Sequence, residues 1–322
     1  MKAVVQYRYG GPEALQIRDI SCPVPRKGEI LVRVHATSVT SSEAKMRQGL
    51  PLYGRPILGW FGPRREVLGL EFAGTVVQLG PGARRFEIGA GVFGFTGMRC
   101  GAWAEYLVMS ENDSVERMPQ NVSFEEAVAL VDGPTTALFF LEKAHLCPSE
   151  RILVNGASGS IGTAAVQLAV WMGAEVTAVC SRANHELVRS LGAQRVIDYH
   201  TEDFTRERES WDVVFDSVGT SSFCRCRPCL RPSGRFLSTV LGVKILAQVP
   251  LAALFCEKKA IFSMSIDKRR ELARLRDLVE AGLHKPLVDR IFAMEDIRKA
   301  HAYVDTGRKK GNVVVRIAQD NA

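Results

Sequence analysis

The fold is decided by the stretch Ile152-Leu153-Val154-Asn155-Gly156-Ala157-Ser158-Gly159-Ser160-Ile161-Gly162. Its apolar start predicts a buried strand, its glycines predict a tight turn, and the residues that follow predict a helix. Small side chains let the backbone of such a turn approach a pyrophosphate, and the first N–H groups of the helix then point at the anion. We therefore expect a dinucleotide to bind at Gly156, Ala157, Ser158, Gly159, Ser160, Ile161 and Gly162.

Strands and helices alternate along the chain around this turn. The predicted strands are Arg151–Val154, Glu175–Cys180, Arg195–Ile197, Trp211–Asp216 and Arg235–Val240. This alternation is typical of α/β proteins, and it predicts a Rossmann doubly wound parallel sheet with helices on both faces. Before Ser123, short alternating runs separated by glycine and proline turns predict a mostly β domain instead. One more strand is predicted at the end of the chain, over Asn312–Ile317.

The choice between the two nicotinamide dinucleotides depends on the end of the strand after the glycine turn. A carboxylate about 20 residues beyond the turn would accept a hydrogen bond from the ribose 2′-hydroxyl. The sequence there is Cys180-Ser181-Arg182, which has no acid. The planar cation of Arg182 suits a 2′-phosphate, and Ser181 adds a hydroxyl. The sequence therefore favours NADPH, with a solvated surface role for Arg182 as the alternative.

Composition excludes several other classes of protein. The 322 residues carry a net charge of +7 with no run of five like charges, so we do not expect a nucleic-acid partner. The most apolar stretch, Val240–Phe255, is short for a bilayer span, and we expect no membrane attachment. The chain opens like a strand rather than a signal peptide, so we expect its eight cysteines to be reduced thiols of a cytoplasmic protein.

Further motifs extend over nearly the whole chain. They are Met1-Lys2-Ala3-Val4-Val5 with Gly11-Pro12-Glu13, Gly69-Leu70-Glu71-Phe72-Ala73-Gly74, Thr136-Ala137, Ser190-Leu191-Gly192-Ala193, Asp216-Ser217-Val218-Gly219 and Lys310-Gly311-Asn312-Val313-Val314. With these motifs the chain resembles the medium-chain dehydrogenase/reductase superfamily, and within it the zinc-free quinone oxidoreductase (zeta-crystallin-like) branch. The resemblance implies a GroES-like catalytic domain built from residues 1–122 and 286–322, with a Rossmann domain inserted at 123–285. It also implies a homodimer, with a contact near Val240–Ile266.

The resemblance implies particular cofactor contacts as well. Ser181, Arg182 and Tyr199 resemble the residues that hold the 2′-phosphate, and Thr136 resembles the threonine near the nicotinamide. Val218, Val240 and Asn312 resemble positions that line the cofactor. Ordinary packing is the alternative for Tyr199, Val218 and Val240.

The sequence does not favour a metal site. Zinc-dependent relatives have a cysteine and a histidine where this chain has Thr40 and Leu70, which are poor zinc ligands, so we expect no catalytic zinc. The segment Cys224-Arg225-Cys226-Arg227-Pro228-Cys229 has a metal-like composition. Its cysteines do not share a helical face, and packed or surface thiols are the expected role.

The resemblance implies hydride transfer from NADPH to a small-molecule quinone or α,β-unsaturated carbonyl (enone). Tyr53 and Thr40 are the candidate donors to the carbonyl oxygen, with packing and structural roles as alternatives. Two other activities stay open, an enoyl-thioester reductase acting on acyl chains and a non-catalytic NADPH-binding protein like the crystallins. The long loop Ile57–Arg65, which contains Trp60 and Phe61, is predicted to cap the substrate site.

Overall fold

The structure is a computed structural model that describes residues 1–240, 257–263 and 265–317. The chain divides into two compact units, one made of Met1–Asp132 with Ile266–Ala322 and the other of Gly133–Ser265. The first boundary lies at the start of a helix, and both ends of the chain belong to the first unit.

The second unit is built on a six-stranded parallel sheet. Its strands are β8 Arg151–Asn155, β9 Glu175–Cys180, β10 Arg195–Asp198, β11 Trp211–Asp216, β12 Leu230–Ser238 and β13 Lys259–Phe262. They lie in the order β10-β9-β8-β11-β12-β13, and every neighbouring pair is parallel. The order reverses between β8 and β11, which is the place where doubly wound sheets bind ligands at the carboxyl ends of their strands.

Helices and a small apolar core accompany this sheet. The helices are α4 Asp132–Lys143, α5 Ser160–Trp171, α6 His185–Ser190 and α7 Phe223–Cys226. One core cluster contains Leu153, Val179, Val214 and Phe236 from four strands of the sheet, together with Phe223 of α7. Burying these strands on both faces explains why they are nearly continuous apolar runs in the sequence.

The first unit is mostly β. Its strands are β1 Lys2–Gln6, β2 Leu15–Asp19, β3 Glu29–Ser38, β4 Glu71–Leu79, β5 Gly91–Phe95, β6 Tyr106–Ser110, β7 Val115–Arg117, β14 Val288–Ala293 and β15 Asn312–Arg316. Seven of them form one sheet in the order β14-β15-β3-β4-β5-β7, with β6 paired to β3, while β1 and β2 form a separate antiparallel pair. The C-terminal strand β15 therefore joins the sheet made by the N-terminal residues.

Within the described residues, five helices accompany the sheet of the first unit. They are α1 Ser41–Gln48, α2 Arg55–Leu58, α3 Phe124–Val128, α8 Arg269–Glu280 and α9 Ile297–Asp305. Two of them, α3 and α8, lie within residues 123–285, which we expected to form the Rossmann domain. Ala127 of α3 and Leu272 of α8 share a buried apolar cluster with Ala36 of β3 and Ala73 of β4. The boundaries of the units thus differ from 123 and 285, because the apolar faces of α3 and α8 pack on the first sheet.

Two expectations concern residues that the structure does not describe. Most of the apolar stretch Val240–Phe255, and with it most of the expected dimer contact, falls on residues 241–256. Within the described ranges, none of the helices has the length and apolarity needed to cross a membrane.

Candidate nucleotide and substrate sites

The glycine turn after β8 brings backbone atoms close together, with little room for side chains. The N–H groups of Gly156 and Ala157 both donate to the carbonyl of Val179 at 3.1 and 3.0 Å, which ties the turn to β9. Gly156 has a φ of +82°, and a Cβ there would collide with the side chain of Val218. A Cβ on Gly162 would collide with the carbonyl of Gly156. Gly159 precedes α5 and makes no side-chain cap hydrogen bond, so the first N–H groups of the helix receive no cap from this position. These residues fit the pyrophosphate of a dinucleotide.

The loop after β11 is organised by one buried carboxylate. Asp216 Oδ1 accepts hydrogen bonds from the Asn155 side-chain amide at 3.1 Å and from the N–H groups of Val218 and Gly219 at 3.2 and 3.0 Å. Its Oδ2 accepts from the N–H of Ser221 at 2.8 Å. Asp216 is fully buried. It therefore fixes the loop beside the glycine turn, at the point where the strand order reverses.

A second polar cluster joins the glycine turn to the end of β9. The Asn184 amide donates to the hydroxyls of Ser158 at 3.0 Å and Ser181 at 3.3 Å. Arg182 is exposed and begins a 3₁₀ turn that ends at Asn184. Tyr199 is exposed and directly follows Asp198, which pairs with Cys180 in the sheet. The structure thus brings the three residues predicted to hold a 2′-phosphate to one edge of the sheet.

The other expected cofactor contacts are divided between the two units. Val218 is half exposed beside Gly156 in the loop that Asp216 holds, and Val240, which follows β12, lies against Gly219 of that loop. Thr136 is half-buried on α4. Asn312 belongs to the first unit, where its amide donates to the carbonyls of Ala129 and Leu287 at 3.2 and 3.1 Å.

Asn184 was absent from the residues predicted for this site. Its neighbours Ser158 and Ser181 are 26 and 3 residues away along the chain. The sequence shows only that an asparagine lies three residues after Ser181. That its amide joins the glycine turn to the turn after β9 can be seen only in the structure, where the two turns lie side by side.

The predicted substrate side, in the first unit, contains a buried glutamate. Glu43 Oε2 accepts from the N–H of Thr40 at 2.7 Å, and Oε1 accepts from the N–H of Leu70 at 2.7 Å. The carboxylate thus bridges the two positions where zinc-dependent relatives have ligands. Burial raises the pKa of Glu43 to about 7, against these hydrogen bonds, which lower it. Thr40 Oγ1 accepts from the N–H of Glu43 at 3.1 Å and so caps α1.

More buried charge surrounds Glu71. Lys268 is almost fully buried, and its Nζ lies 3.1 Å from Asp132 Oδ1 and 5.0 Å from the centre of the Phe95 ring. Burial, with the carboxylates of Asp132 and Glu43, raises the pKa of Glu71 well above its ordinary value. Burying so many ionisable groups is costly, and such clusters are concentrated at functional sites.

Tyr53 and the cysteines have simpler surroundings. Tyr53 is exposed, in a short 3₁₀ turn at Leu52–Gly54.

Cys226 and Cys229 are buried, and the Cys229 thiol donates to the carbonyl of Cys226 at 2.9 Å, while Cys224 is exposed. Over the described part of the chain, His, Cys, Asp and Glu side chains form no group of three or more that could hold a metal ion.

Comparison with known proteins gives the same picture along the whole chain. Residues 26–120 match the alcohol dehydrogenase GroES-like domain, and residues 191–315 match the family described as zinc-binding dehydrogenase. The chloroplastic quinone-oxidoreductase of Triphysaria versicolor is 30% identical over 98% of both chains. The NADPH-dependent alkenal/one oxidoreductase of Arabidopsis thaliana is 28% identical over 98% of this chain and 79% of that protein.

A solved structure extends the likeness to three dimensions. The quinone oxidoreductase of Coxiella burnetii matches with a TM-score of 0.89 and 29% identity over 99% of both chains. The predicted fold class, a Rossmann sheet inserted in a GroES-like domain, is confirmed by these matches and by the two sheets. The chain belongs to the medium-chain dehydrogenase/reductase superfamily, in its quinone oxidoreductase branch.

Proposed function

We propose that this protein is an NADPH-dependent, zinc-independent oxidoreductase that transfers a hydride to a quinone or an enone. The observation that carries the proposal is the hydrogen-bonded link Ser158–Asn184–Ser181, with Arg182 exposed beside it. This link holds the Ser158 and Ser181 hydroxyl groups at the end of β9, next to Arg182, where a dinucleotide on the glycine turn would place its adenosine ribose.

The charge at this edge favours a phosphate over a ribose hydroxyl. A guanidinium forms two parallel hydrogen bonds with a phosphate, and Ser181 offers a further hydroxyl. The carboxylate on the neighbouring strand end is Asp198, which pairs with Cys180 and whose Oδ1 accepts from the backbone N–H of His200 at 3.0 Å. Asp198 is thus engaged in its own turn, which supports NADPH rather than NADH as the cofactor.

When bound, the nicotinamide would supply the hydride, and the side chains would bind, orient and protonate. The glycine turn and the Asp216 loop would hold the cofactor. The carbonyl oxygen of the substrate gains negative charge during hydride transfer and needs a hydrogen-bond donor. Thr40 is one candidate donor, and its hydroxyl group also hydrogen-bonds with the Glu43 carboxylate at the start of α1. Tyr53 is the second candidate.

The cofactor assignment is tested by Arg182→Ala. We expect the KM for NADPH to rise about tenfold to a hundredfold, the usual effect of losing hydrogen bonds to a charged group, with the KM for NADH unchanged. Arg206→Ala, which removes an exposed arginine elsewhere in the second unit, should change neither constant. A wild-type preference for NADH would contradict the proposal.

The reaction class is tested with a panel of quinones, enones and enoyl thioesters. We expect NADPH oxidation with a quinone or an enone, and no loss of that activity in the presence of a chelator. Turnover of enoyl thioesters alone would favour an acyl reductase. A protein that binds NADPH and oxidises it with none of these acceptors would be a non-catalytic binding protein.

Location and assembly belong to the same proposal. The seven described cysteines are free thiols, which fits a reducing compartment such as the cytoplasm. A homodimer is proposed from the family resemblance, and sedimentation equilibrium of the full chain measures it directly.

A further inference from the structure

An exposed apolar loop stands out on the first unit. Within residues 50–61, six large apolar side chains are exposed, and they are Leu50, Leu52, Tyr53, Ile57, Trp60 and Phe61. Trp60 is 62% exposed, and Phe61 is fully exposed. Scattered exposed apolar residues are ordinary on a soluble protein, but six of them concentrated in one short segment indicate an interaction surface.

The end of this loop, Gly59-Trp60-Phe61-Gly62, is here called the aromatic tip. Gly59 has a φ of +123°, and a Cβ there would collide with the carbonyl of Gly62, so the turn requires glycine. The N–H of Arg64 donates to the carbonyl of Leu58 at 2.7 Å and closes the turn. The Tyr9 hydroxyl donates to the carbonyl of Gly59 at 2.8 Å and anchors it to the unit. The two aromatic side chains are therefore held outward by a specific backbone.

Positive charge flanks the aromatic tip on both sides. Arg64 and Arg65 follow it after Pro63 and are exposed. Arg55 precedes it, with its guanidinium 5.1 Å from the centre of the Tyr9 ring. Glu66 is the only acidic residue from 50 to 66, within a chain of net charge +7. An apolar tip flanked by arginines is complementary to an anionic bilayer. At such a surface aromatic rings lie at the level of the headgroups, and arginines bind lipid phosphates.

Other occupants match the surface less well. In a symmetric dimer the same patch faces its own copy, so Arg55, Arg64 and Arg65 of both copies would meet with only Glu66 of each copy to offset them. Single-stranded nucleic acid offers flat base faces to Trp60 and Phe61, but little to the aliphatic Leu52 and Ile57. A bilayer interface accommodates both kinds of apolar side chain together with the cations.

We infer that the aromatic tip docks on the surface of a bilayer that contains anionic lipid, with Trp60 and Phe61 at the headgroup–acyl boundary and Arg64 and Arg65 on lipid phosphates. This replaces, for this one surface, the expectation of no membrane attachment that followed from the lack of a spanning segment. The inference does not depend on the proposed function, because the lipid contact involves no turnover.

The test is co-sedimentation of the full chain with vesicles of phosphatidylcholine, alone or mixed with phosphatidylserine. We expect binding to the mixed vesicles only, weakened by added salt because exposed charges are screened. Trp60→Ser with Phe61→Ser, and separately Arg64→Gln with Arg65→Gln, should each reduce the partition coefficient by about tenfold or more. Matched controls elsewhere on the surface, Val24→Ser with Ile88→Ser and Arg206→Gln with Arg208→Gln, should leave it unchanged.

Several results would overturn this inference. Wild-type protein that ignores anionic vesicles, or a Trp60→Ser/Phe61→Ser variant that still binds them, excludes lipid docking. A change in the sedimentation coefficient of the free variant would identify the aromatic tip as a contact between copies of the chain. If the Trp60→Ser/Phe61→Ser variant bound vesicles like wild type but no longer turned over a water-soluble quinone, the loop would be a cap on the substrate site instead.

Discussion

Arg47 Nε donates a hydrogen bond to Nδ1 of His301 at 3.2 Å, although 254 residues separate the two side chains along the sequence. Both are fully buried. The same guanidinium donates to the carbonyl of Gly10 at 2.6 Å and pairs with Asp305 at 2.5 Å. Arg47 therefore ties α1 to α9, and so the N-terminal part of the first unit to its C-terminal part.

Replacing this arginine should strongly destabilise the first unit. Arg47→Met removes the donor to the buried His301 imidazole, to the Gly10 carbonyl and to the partly exposed Asp305 carboxylate, and leaving buried acceptors unsatisfied costs about 1–3 kcal/mol each. The free energy of unfolding in urea measures the loss. Arg99→Met removes an exposed pair with Asp113 and should cost less than about 1 kcal/mol. Equal losses in the two variants would mean that Arg47 contributes no more than a surface ion pair.

His301 should make the protein less stable in acid. Burial, and secondarily the charge of Arg47, lowers the pKa of His301 from 6.5 to about 3. Below pH 6.5 the unfolded chain therefore binds a proton that the folded chain does not, and the free energy of unfolding falls as the pH falls toward 3. His301→Gln should reduce this slope by up to about 1.4 kcal/mol per pH unit.

The measurement is urea unfolding of wild type and variant over a series of pH values between about 6 and 4.5. His145→Gln, at an exposed position, is the matched control and should leave the slope as it is. His284, whose pKa burial lowers to about 4, contributes in the same direction in all three proteins, so it cancels in the comparison. Parallel curves for wild type and His301→Gln would show that the imidazole is not held neutral.

The sequence reveals the parts of this protein that depend on local patterns. Three such patterns are contiguous in the sequence: the glycine turn, the alternation of strands and helices around it, and the segment Ser181-Arg182. The residue types in each pattern are enough to predict its structure or its ligand. The apolar stripe of α8, with Leu272 and Val279, shows that one face of the helix is buried. It does not show which sheet covers that face, and this is why the unit boundary at 285 differs from the structure.

The remaining features depend on contacts between distant segments. Lys and Asp are residue types that usually lie at the surface, and only the fold buries Lys268 and brings its charge within 3.1 Å of the partly buried Asp132. Glu43 bridges Thr40 and Leu70, which are 30 residues apart. No spacing rule connects such positions, because the packing of helix starts and strands that are distant in sequence sets them side by side.

Asp216 should control cofactor affinity through the loop that it holds. Asp216→Asn replaces one acceptor oxygen by an NH₂ group, which must face at least one of the four donors on this side chain. We expect NADPH to bind about tenfold more weakly, the usual effect of one lost hydrogen bond to a charged group. Asp212→Asn alters a carboxylate at the other end of β11, on Arg151 and Arg231, and should leave the Kd unchanged. Calorimetric titration with NADPH distinguishes the two variants.

The glycine turn offers a separation of folding from cofactor binding. Gly159 has an ordinary φ of −80°, and a Cβ there has the carbonyl of Gly156 at 3.6 Å as its nearest neighbour, so Gly159→Ala should fold with nearly wild-type stability. Its methyl group would occupy the space through which a pyrophosphate approaches the backbone, and we expect a large loss of NADPH affinity. Gly156→Ala combines a left-handed φ with a collision against Val218 and should instead lower the melting temperature of the protein itself. Titration with NADPH and thermal unfolding of both variants are the measurements. If Gly159→Ala bound NADPH like wild type, the pyrophosphate would have to lie elsewhere than on this turn.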